Sequence, residues 1–324
     1  MHVIGIDVSK RKLHAGWLLC ASSEKIKPKA TANSPEGVQT LLAWAQRHTG
    51  AEPGAMHFIL EATSVYHEPV AEALVDAGAV VSVVNPLQVR RFAQSRGIDS
   101  KTDAHDRRVL ALFGYHHRPQ AWQPPPPEAK HLQTLLRRLE AVEADLQRER
   151  NRLETAEIQG NAEVLRSHQI VIDSLDAEVR RLREEIDRHI DRHPHLKDQR
   201  ELLASVPGIG EVAARYLTSL FSAHTFDCAA QAAAYLGLTP KRYQSGTLER
   251  PARLSKTGDA RARAKLYWPA IAALRSNPHI QAMAKRLQRA GKAPMAIIAA
   301  AMRKLIHIAF GVLKHQTPYD PQWA

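Results

Sequence analysis

The sequence predicts an α/β domain with a mixed sheet, followed by a mainly helical region. Three observations support this fold class. Three consecutive strand patterns open the chain, strand and helix patterns then alternate, and leucines recur every seven residues in the middle of the chain. The chain has 324 residues, enough for about two domains with a real core.

The first predicted domain, residues 1–121, owes its assignment to the order of its elements. The strand patterns cover residues 2–8, 12–20, 25–33, 56–62 and 79–85. Helices are expected from Ser34-Pro35-Glu36, over 69–77 and over about 102–116. Three consecutive strands followed by α/β alternation are the order of a ribonuclease-H-like domain with a mixed sheet and flanking helices.

A proline-rich spacer and a long helical region follow. Residues 122–129 contain four consecutive prolines, which predict a stiff, non-helical spacer. Over 130–193, Leu132, Leu139, Leu146 and Leu153 form a heptad seam, and Gln159-Gly160-Asn161 separates two helices. We interpret this region as a coiled coil or helical hairpin. A narrow seam needs a partner helix, so the expected role is association of copies, although the partner helix could also lie in the same chain.

The third region, 194–324, is predicted to be mainly helical. Within it, Val206-Pro207-Gly208-Ile209-Gly210 resembles a helix-hairpin-helix turn, in which Gly208 and Gly210 would let backbone N–H groups approach a phosphate. An ordinary Pro-Gly connection between helices explains the motif equally well.

The charge distribution indicates a polyanionic partner. The net charge is +12, and residues 193–324 hold 19 Lys and Arg against 7 Asp and Glu, so this region alone accounts for the excess. A basic surface of this size attracts nucleic acid, where released counterions favour binding.

The cellular context is predicted to be cytoplasmic. Cys20 and Cys228 are too few and too distant for a disulfide framework or a zinc site. No leader pattern opens the chain, and no apolar run is expected to reach the roughly 18 residues of a membrane span, so no membrane partner is expected.

Four carboxylates are the candidate metal ligands. Asp7 and Glu61 end apolar strand patterns, whereas Asp103 and Asp106 lie three residues apart on one face of a predicted helix, with Asp99 as a fifth candidate. A carboxylate at the end of a buried strand is costly unless a cation or donors compensate it. Two magnesium ions about 4 Å apart would do so and would support phosphodiester chemistry. The alternative is that these residues are turn or helix-start residues.

A second candidate site is the basic segment 241–265, which glycine and proline interrupt. Its candidate nucleic-acid contacts are Lys241, Arg242, Arg250, Arg253, Lys256, Arg261, Arg263 and Lys265. Ser245, before Gly246, is a possible nucleophile, but a Ser-Gly pair alone is more often a turn.

Five motifs in order resemble those of one family. They are Ile4-Gly5-Ile6-Asp7, Glu61-Ala62-Thr63, Asp103-Ala104-His105-Asp106, Pro207-Gly208-Ile209-Gly210 and Tyr243-Gln244-Ser245-Gly246. The chain resembles, over nearly its whole length, the insertion-sequence transposases with a DEDD, RuvC-like N-terminal domain, also called bridge-RNA-guided recombinases. The resemblance implies that Asp7, Glu61, Asp103 and Asp106 bind Mg²⁺ and that Ser245 is the nucleophile.

The resemblance also implies partners and a mechanism. A structured guide RNA would pair with target and donor DNA, and tetramers assembled as dimers would complete each active site between subunits. A covalent serine intermediate would conserve the phosphodiester bond energy for rejoining. Two alternatives remain: a RuvC-like nuclease or junction resolvase that uses activated water, and a non-enzymatic nucleic-acid scaffold.

Overall fold

The computed structural model describes residues 1–62, 65–98, 103–245, 248–258 and 260–322. For residues 103, 104, 242 and 248–251 it describes the backbone alone. The chain divides into two compact units, Met1–Pro124 and Pro125–Ala324.

The first unit is built on a five-stranded mixed sheet. Its strands are β1 (His2–Val8), β2 (Lys12–Cys20), β3 (Lys25–Ala32), β4 (Met56–Glu61) and β5 (Val80–Val84), in the spatial order β3-β2-β1-β4-β5. The pairs β1–β2 and β2–β3 are antiparallel, whereas β1–β4 and β4–β5 are parallel. The predicted mixed sheet is thus confirmed, and its order is consistent with a ribonuclease-H-like fold.

Four α-helices accompany this sheet among the described residues: α1 (Pro35–Thr49), α2 (Glu68–Asp76), α3 (Pro86–Ser95) and α4 (Asp103–His117). Short 3-10 turns lie at Pro53–Ala55 and Val65–His67. Helix α3 was not predicted from the sequence. Its start is nevertheless typical, because the Asn85 side chain accepts a hydrogen bond from the Leu87 N–H and Pro86 occupies the first helical position.

Alternate residues of the strands face different helices. Ile4 and Ile6 of β1 and Phe58 of β4 are buried in one cluster with residues of α1 and α2. Ile59 of β4 is buried on the other face, with residues of α3 and α4. Both faces of the central strands are therefore covered, as their apolar sequence requires.

The second unit begins with a helical hairpin of α5 (Pro127–Gln159) and α6 (Ala162–Arg192). Helix α5 begins inside the predicted spacer, because proline is well tolerated at the first position of a helix. Ion pairs Arg150–Asp176 and Arg183–Glu143 show that the helices run antiparallel. Leu132, Leu139 and Leu146 of α5 are buried against Ile172, Val179, Leu182 and Ile186 of α6, and Leu153 is partly buried there. The seam therefore has its partner helix within the same chain.

The rest of the second unit is mainly helical, as expected. Its elements are α7 (Pro194–Ala204), α8 (Glu211–Ala223), α9 (Ala229–Tyr235), β6 (Pro240–Ser245), β7 (Leu248–Leu254), α10 (Ala260–Ser276), α11 (Pro278–Arg289) and α12 (Pro294–His315). The expectation of an irregular basic segment from residue 241 was wrong over its first half, since β6 and β7 pair as an antiparallel hairpin. Only Gly246 and Thr247 separate the strands in the sequence, a spacing typical of hairpins.

Helix α12 forms much of the core of this unit. Its Ile297, Ala301, Leu305 and Ala309 are buried with residues of α7 to α11. Among the described residues, α12 is also long and apolar enough to cross a membrane by length and composition. The sequence prediction missed this because Arg303 and Lys304 interrupt the apolar run. The buried face of α12 is that of a core helix.

Candidate active site

Asp7 and Glu61 lie near the carboxyl ends of two neighbouring parallel strands. Ile6 of β1 and Leu60 of β4 are aligned in the sheet, so the next residues, Asp7 and Glu61, stand at the same level. Adjacent strands are about 4.8 Å apart, which lets two aligned carboxylates reach a common cation. Both residues are partly buried, a setting that favours a compensating charge.

The two carboxylates share the face of the sheet that α4 covers. A Cβ placed on Gly5 would come within 2.8 Å of the Leu110 Cβ of α4, and one on Gly114 of α4 within 2.7 Å of the Ile59 Cδ1. Asp7 is two residues beyond Gly5, and Glu61 is two residues beyond Ile59. Since side chains two apart on a strand share a face, Asp7 and Glu61 face α4.

Helix α4 runs so that its first turn lies nearest these carboxylates. Gly114 lies against Val3 of β1, whereas Arg107, Leu110 and Ala111 lie against Gly5. Strand β1 and helix α4 thus run in opposite directions. The Asp7 end of β1 therefore lies near the N-terminus of α4, where Asp106 lies. The structure brings Asp7, Glu61 and Asp106 to one region of the first unit. Asp103 is the first residue of α4, but its side chain lies outside the described part of the chain, as does Asp99 altogether.

The donor set of this region suits a hard cation. Carboxylate oxygens are the ligands that Mg²⁺ prefers. The packing of α4 on the sheet keeps the residues that bear these carboxylates in fixed positions. Among the side chains that the structure describes, no group of three or more His, Cys, Asp or Glu residues has the arrangement of a formed metal site. The fourth predicted ligand, Asp103, is not among these side chains, because its own side chain lies outside the described part of the chain.

Two residues at this site were missed in the sequence. His14 of β2 stands directly opposite Asp7 in the antiparallel pair, so its side chain shares the face of Asp7. Arg107 of α4 lies with its Cγ 3.3 Å from a Cβ placed on Gly16, and its buried Nε has no hydrogen-bond partner among the described residues. No sequence signal identified His14, because its place opposite Asp7 depends on the antiparallel register of β1 and β2.

Ser245 is the last residue of β6, in the second unit. It is exposed and stands opposite Leu248 of β7, next to the two residues that lie outside the described chain. In the same hairpin, Lys241 stands directly opposite Arg253, and both side chains are exposed. Like charges in this position destabilise a hairpin. An anion between them would remove that repulsion.

The other predicted basic contacts divide into two groups. Lys256 and Arg261 are exposed. Arg263 instead donates hydrogen bonds to the backbone oxygens of Leu236 (3.2 Å) and Gly258 (3.0 Å), and Lys265 lies 3.1 Å from a carboxylate oxygen of Glu140. Arg263 and Lys265 are therefore engaged within the fold. The side chains of Arg242 and Arg250 lie outside the described part.

The glycine motif connects α7 to α8. Gly208 has a left-handed φ of 103°, and a Cβ there would come within 2.7 Å of the Ala273 Cα of α10. Glycine is thus required at 208 by the turn and by packing. Gly210 precedes the first residue of α8, with open space where a side chain would stand. Its location at a helix N-terminus is compatible with phosphate binding.

Comparison with known proteins assigns the family. Two transposase family descriptions match the chain: the DEDD transposase domain of the IS110 group over residues 4–156, and the IS116/IS110/IS902 transposase family over residues 200–285. The chain is 32% identical to the pilin gene-inverting protein of Moraxella bovis, over 98% of this chain and 97% of that protein. This chain belongs to the IS110 family of transposases.

Other relatives agree. The pilin gene-inverting protein of Moraxella lacunata is also 32% identical, with the same coverage of both chains. A probable family 20 transposase of Pseudomonas aeruginosa is 29% identical over 49% of this chain and 47% of its own length. As an IS110-family transposase, the protein is a DNA recombinase, and its DEDD-type domain indicates dependence on a divalent metal. The first matched region contains the four candidate carboxylates, and the second contains Ser245.

Proposed function

We propose that this IS110-family transposase is an RNA-guided DNA recombinase with a two-part active site. Asp7, Glu61, Asp103 and Asp106 hold Mg²⁺, and Ser245 forms a covalent phosphoserine link to one DNA end. The observation that carries the metal half is that Asp7 and Glu61 lie near the carboxyl ends of neighbouring parallel strands and face the first turn of α4, where Asp106 lies.

Bound Mg²⁺ would polarise the scissile phosphate and offset the charge that develops on its oxygens. The four carboxylates supply the hard oxygen ligands, and the close packing of Gly5 and Gly114 keeps β1, β4 and α4 in register. His14, opposite Asp7, and Arg107 are further side chains on this face. Arg107 has an unused donor with which to orient a phosphate or a ligand carboxylate.

Ser245 performs the exchange chemistry in this proposal. Its hydroxyl gives up a proton to solvent, and the Oγ attacks phosphorus to form an Oγ–P bond. The bond from phosphorus to the other strand end breaks, and the departing oxygen takes a proton to become a hydroxyl. In the second step a hydroxyl of a new strand attacks the phosphoserine and releases Ser245. No phosphodiester bond is lost overall, so rejoining needs no ATP.

The hairpin around Ser245 supports the nucleic-acid part of the proposal. Lys241 and Arg253 face each other on exposed positions, four residues before and eight after Ser245. A phosphate between them would relieve their repulsion and place the DNA backbone beside the hydroxyl. Arg250, Lys256 and Arg261 belong to the same surface segment by sequence, whereas Arg263 and Lys265 act mainly within the fold.

The composition of the chain supports guidance by a structured RNA. Aromatic residues make up only 6% of the sequence, and the basic surplus lies in its last third. If base pairing with an RNA selects target and donor, the protein needs only backbone and shape contacts, which such a surface provides. This pairing takes place in the cytoplasm, where bacterial DNA is accessible.

Assembly of dimers into a tetramer completes the proposal. Near the tip of the α5–α6 hairpin, Ile158 is 86% exposed and Ile170 61% exposed. Large apolar side chains at these levels of exposure are suited to a second copy of the chain, with the hairpin seam itself already filled. In this proposed assembly, one chain's Ser245 serves another chain's carboxylates.

Substitution of the ligands tests the metal half. Asp7→Asn and Glu61→Gln are expected to abolish recombination of a plasmid carrying the element's ends and to weaken Mg²⁺ or Mn²⁺ binding measured by calorimetry. Asp76→Asn, which changes an exposed carboxylate at the end of α2, is the matched control and should retain both. Full recombination by Asp7→Asn or Glu61→Gln would refute the catalytic assignment and favour a nucleic-acid scaffold.

A further inference from the structure

The outer face of α10 carries an exposed tryptophan that the mechanism above does not use. Trp268 is 71% exposed. Its neighbours at four residues on either side, Ala264 and Ala272, are also exposed. Residues four apart lie on the same face of a helix, and alanine side chains are too short to cover the indole. The indole therefore has open space on both sides along the helix.

Two arginines frame this surface. Arg261 and Arg275, seven residues before and after Trp268, are exposed on the same face, about 10 Å away along the axis. The sequence of α10, from Ala260 to Ser276, contains four basic residues and no Asp or Glu. The opposite face, with Ala262, Leu266, Ala270 and Ala273, is buried in the core. The exposed face thus combines one aromatic platform with flanking positive charge.

We propose that Trp268 stacks on an unpaired base of a single DNA strand, with Arg261 and Arg275 holding the phosphates on either side. An aromatic ring with adjacent cations is the arrangement that binds single strands without reading sequence. In a duplex the base faces are covered by their neighbours, so an indole can stack only on a base that has left the stack. Cutting and exchange of DNA strands produce such bases.

A second copy of the chain fits this face less well. Trp268 is the one large apolar side chain among the exposed residues of α10, and Ile271, three residues further on, is partly buried, so little apolar area could be buried. A second α10 would bring the same arginines and no acidic residue to meet them. Both charge and composition favour a polyanion.

The orientation of the ring is supported from within the helix. The rings of Tyr267 and Trp268 meet edge to face, with centroids 5.5 Å apart and planes at 80°. Such contacts are favourable and restrict the rotamer of the indole. A ring held in this way loses less entropy when a base stacks on it.

The inference rests on the proposed function only in taking DNA as the ligand, and its test needs no catalysis. Full-length protein is titrated into a short fluorescently labelled DNA strand, its duplex, and an RNA strand of the same sequence, by anisotropy in EDTA. Trp268→Ala should weaken binding of the DNA strand roughly tenfold while leaving duplex binding nearly unchanged. Trp268→Phe should keep most of the affinity. Met295→Ala, which removes a similarly exposed apolar side chain from α12, should have no effect.

Three results would overturn the assignment. Equal losses for strand and duplex would mean that Trp268 supports a backbone contact instead of stacking on a base. A loss confined to the RNA strand would assign the face to RNA. A fall in molar mass of Trp268→Ala by light scattering, with DNA-strand binding intact, would make the face an interface between copies. Because these measurements omit metal and cleavage, failure here leaves the Ser245 proposal standing, and failure of Ser245 leaves this one standing.

Discussion

Gly5 of β1 lies directly against Arg107 of α4, and the backbone carbonyl of Arg107 occupies the space that a side chain at position 5 would need. Gly16, opposite Gly5 on β2, similarly leaves room for the Arg107 side chain. This close approach of helix and sheet fixes the distance between Asp106 on α4 and Asp7 on β1. Packing of the Gly5 backbone against the Arg107 backbone therefore helps to set the geometry of the candidate metal site.

Replacing Gly5 by alanine should damage stability and activity together. The added methyl has no space and must push α4 away from β1, at a cost of about 1–3 kcal/mol in the free energy of unfolding. Urea unfolding and Mg²⁺-dependent DNA cleavage measure the two effects. Gly54→Ala is the control, since the nearest atom to its Cβ, the Gly78 carbonyl oxygen, is 3.7 Å away. Normal cleavage by Gly5→Ala would show that the helix position does not control the site.

Burial of His57 should make the stability of the first unit depend on pH. Burial lowers the pKa of the His57 imidazole below its ordinary 6.5, and its Nε2 lies 2.8 Å from the Ser82 Oγ. The unfolded chain then binds a proton at a higher pH than the folded chain does. Stability should fall as the pH drops from about 6.5 towards the lower folded-state pKa.

Thermal melts across this range, compared with those of His57→Gln, measure the effect. The pH dependence between 6.5 and 5 should be weaker in His57→Gln than in the unsubstituted protein. His116→Gln removes an exposed imidazole and should leave the dependence as it was. Identical profiles for all three proteins would contradict a contribution from His57.

Removing one charge of the Lys241–Arg253 pair should lower DNA affinity without lowering the stability of the protein. Lys241→Gln relieves the repulsion across the hairpin, so the melting temperature should stay constant or rise slightly. DNA affinity should fall, and the slope of log affinity against log salt should decrease by about one, as expected for one lost phosphate contact. Lys285→Gln, which changes an exposed lysine of α11, is the control. An unchanged salt slope for Lys241→Gln would exclude a phosphate contact there.

The ion pair between Arg215 of α8 and Asp187 of α6 should contribute more to the free energy of unfolding than exposed ion pairs do. Arg215 donates to both carboxylate oxygens of Asp187, at 2.7 and 2.6 Å, and only 13% of its side chain is exposed. Arg215→Ala should lower the free energy of unfolding by about 1–3 kcal/mol. Arg148→Ala breaks an exposed pair with Asp145 and should cost less than about 0.5 kcal/mol. Chemical denaturation compares them, and equal costs would show that the α8–α6 contact is not a strong one.

Local patterns explain which parts of the fold the sequence could predict. The strands of the first unit follow from apolar runs, and α1 from Ser34, whose side chain accepts a hydrogen bond from the Gly37 N–H. The β6–β7 hairpin was missed because its basic and proline-containing strands lack an apolar face, although a two-residue Gly-containing connection was visible.

Tertiary arrangement explains what sequence could not give. Asp7 and Glu61 were found by their positions after apolar strands, but their alignment depends on β1 pairing parallel to β4 across more than fifty residues. His14 became a site residue only through the antiparallel register of β1 and β2. Lys265 looked like a DNA contact by charge alone, whereas folding places it beside Glu140.

A covalent link between Ser245 and DNA would distinguish a serine recombinase from a nuclease that uses activated water. Protein, its element's RNA and DNA are incubated with Mg²⁺, the reaction is stopped with denaturant, and adducts are separated on a gel and mapped by mass spectrometry. We expect an adduct at Ser245 that is absent in Ser245→Ala and still formed by Ser255→Ala. Cleavage by Ser245→Ala at the unsubstituted rate, with free ends and no adduct, would rule out the serine nucleophile and indicate hydrolysis by water.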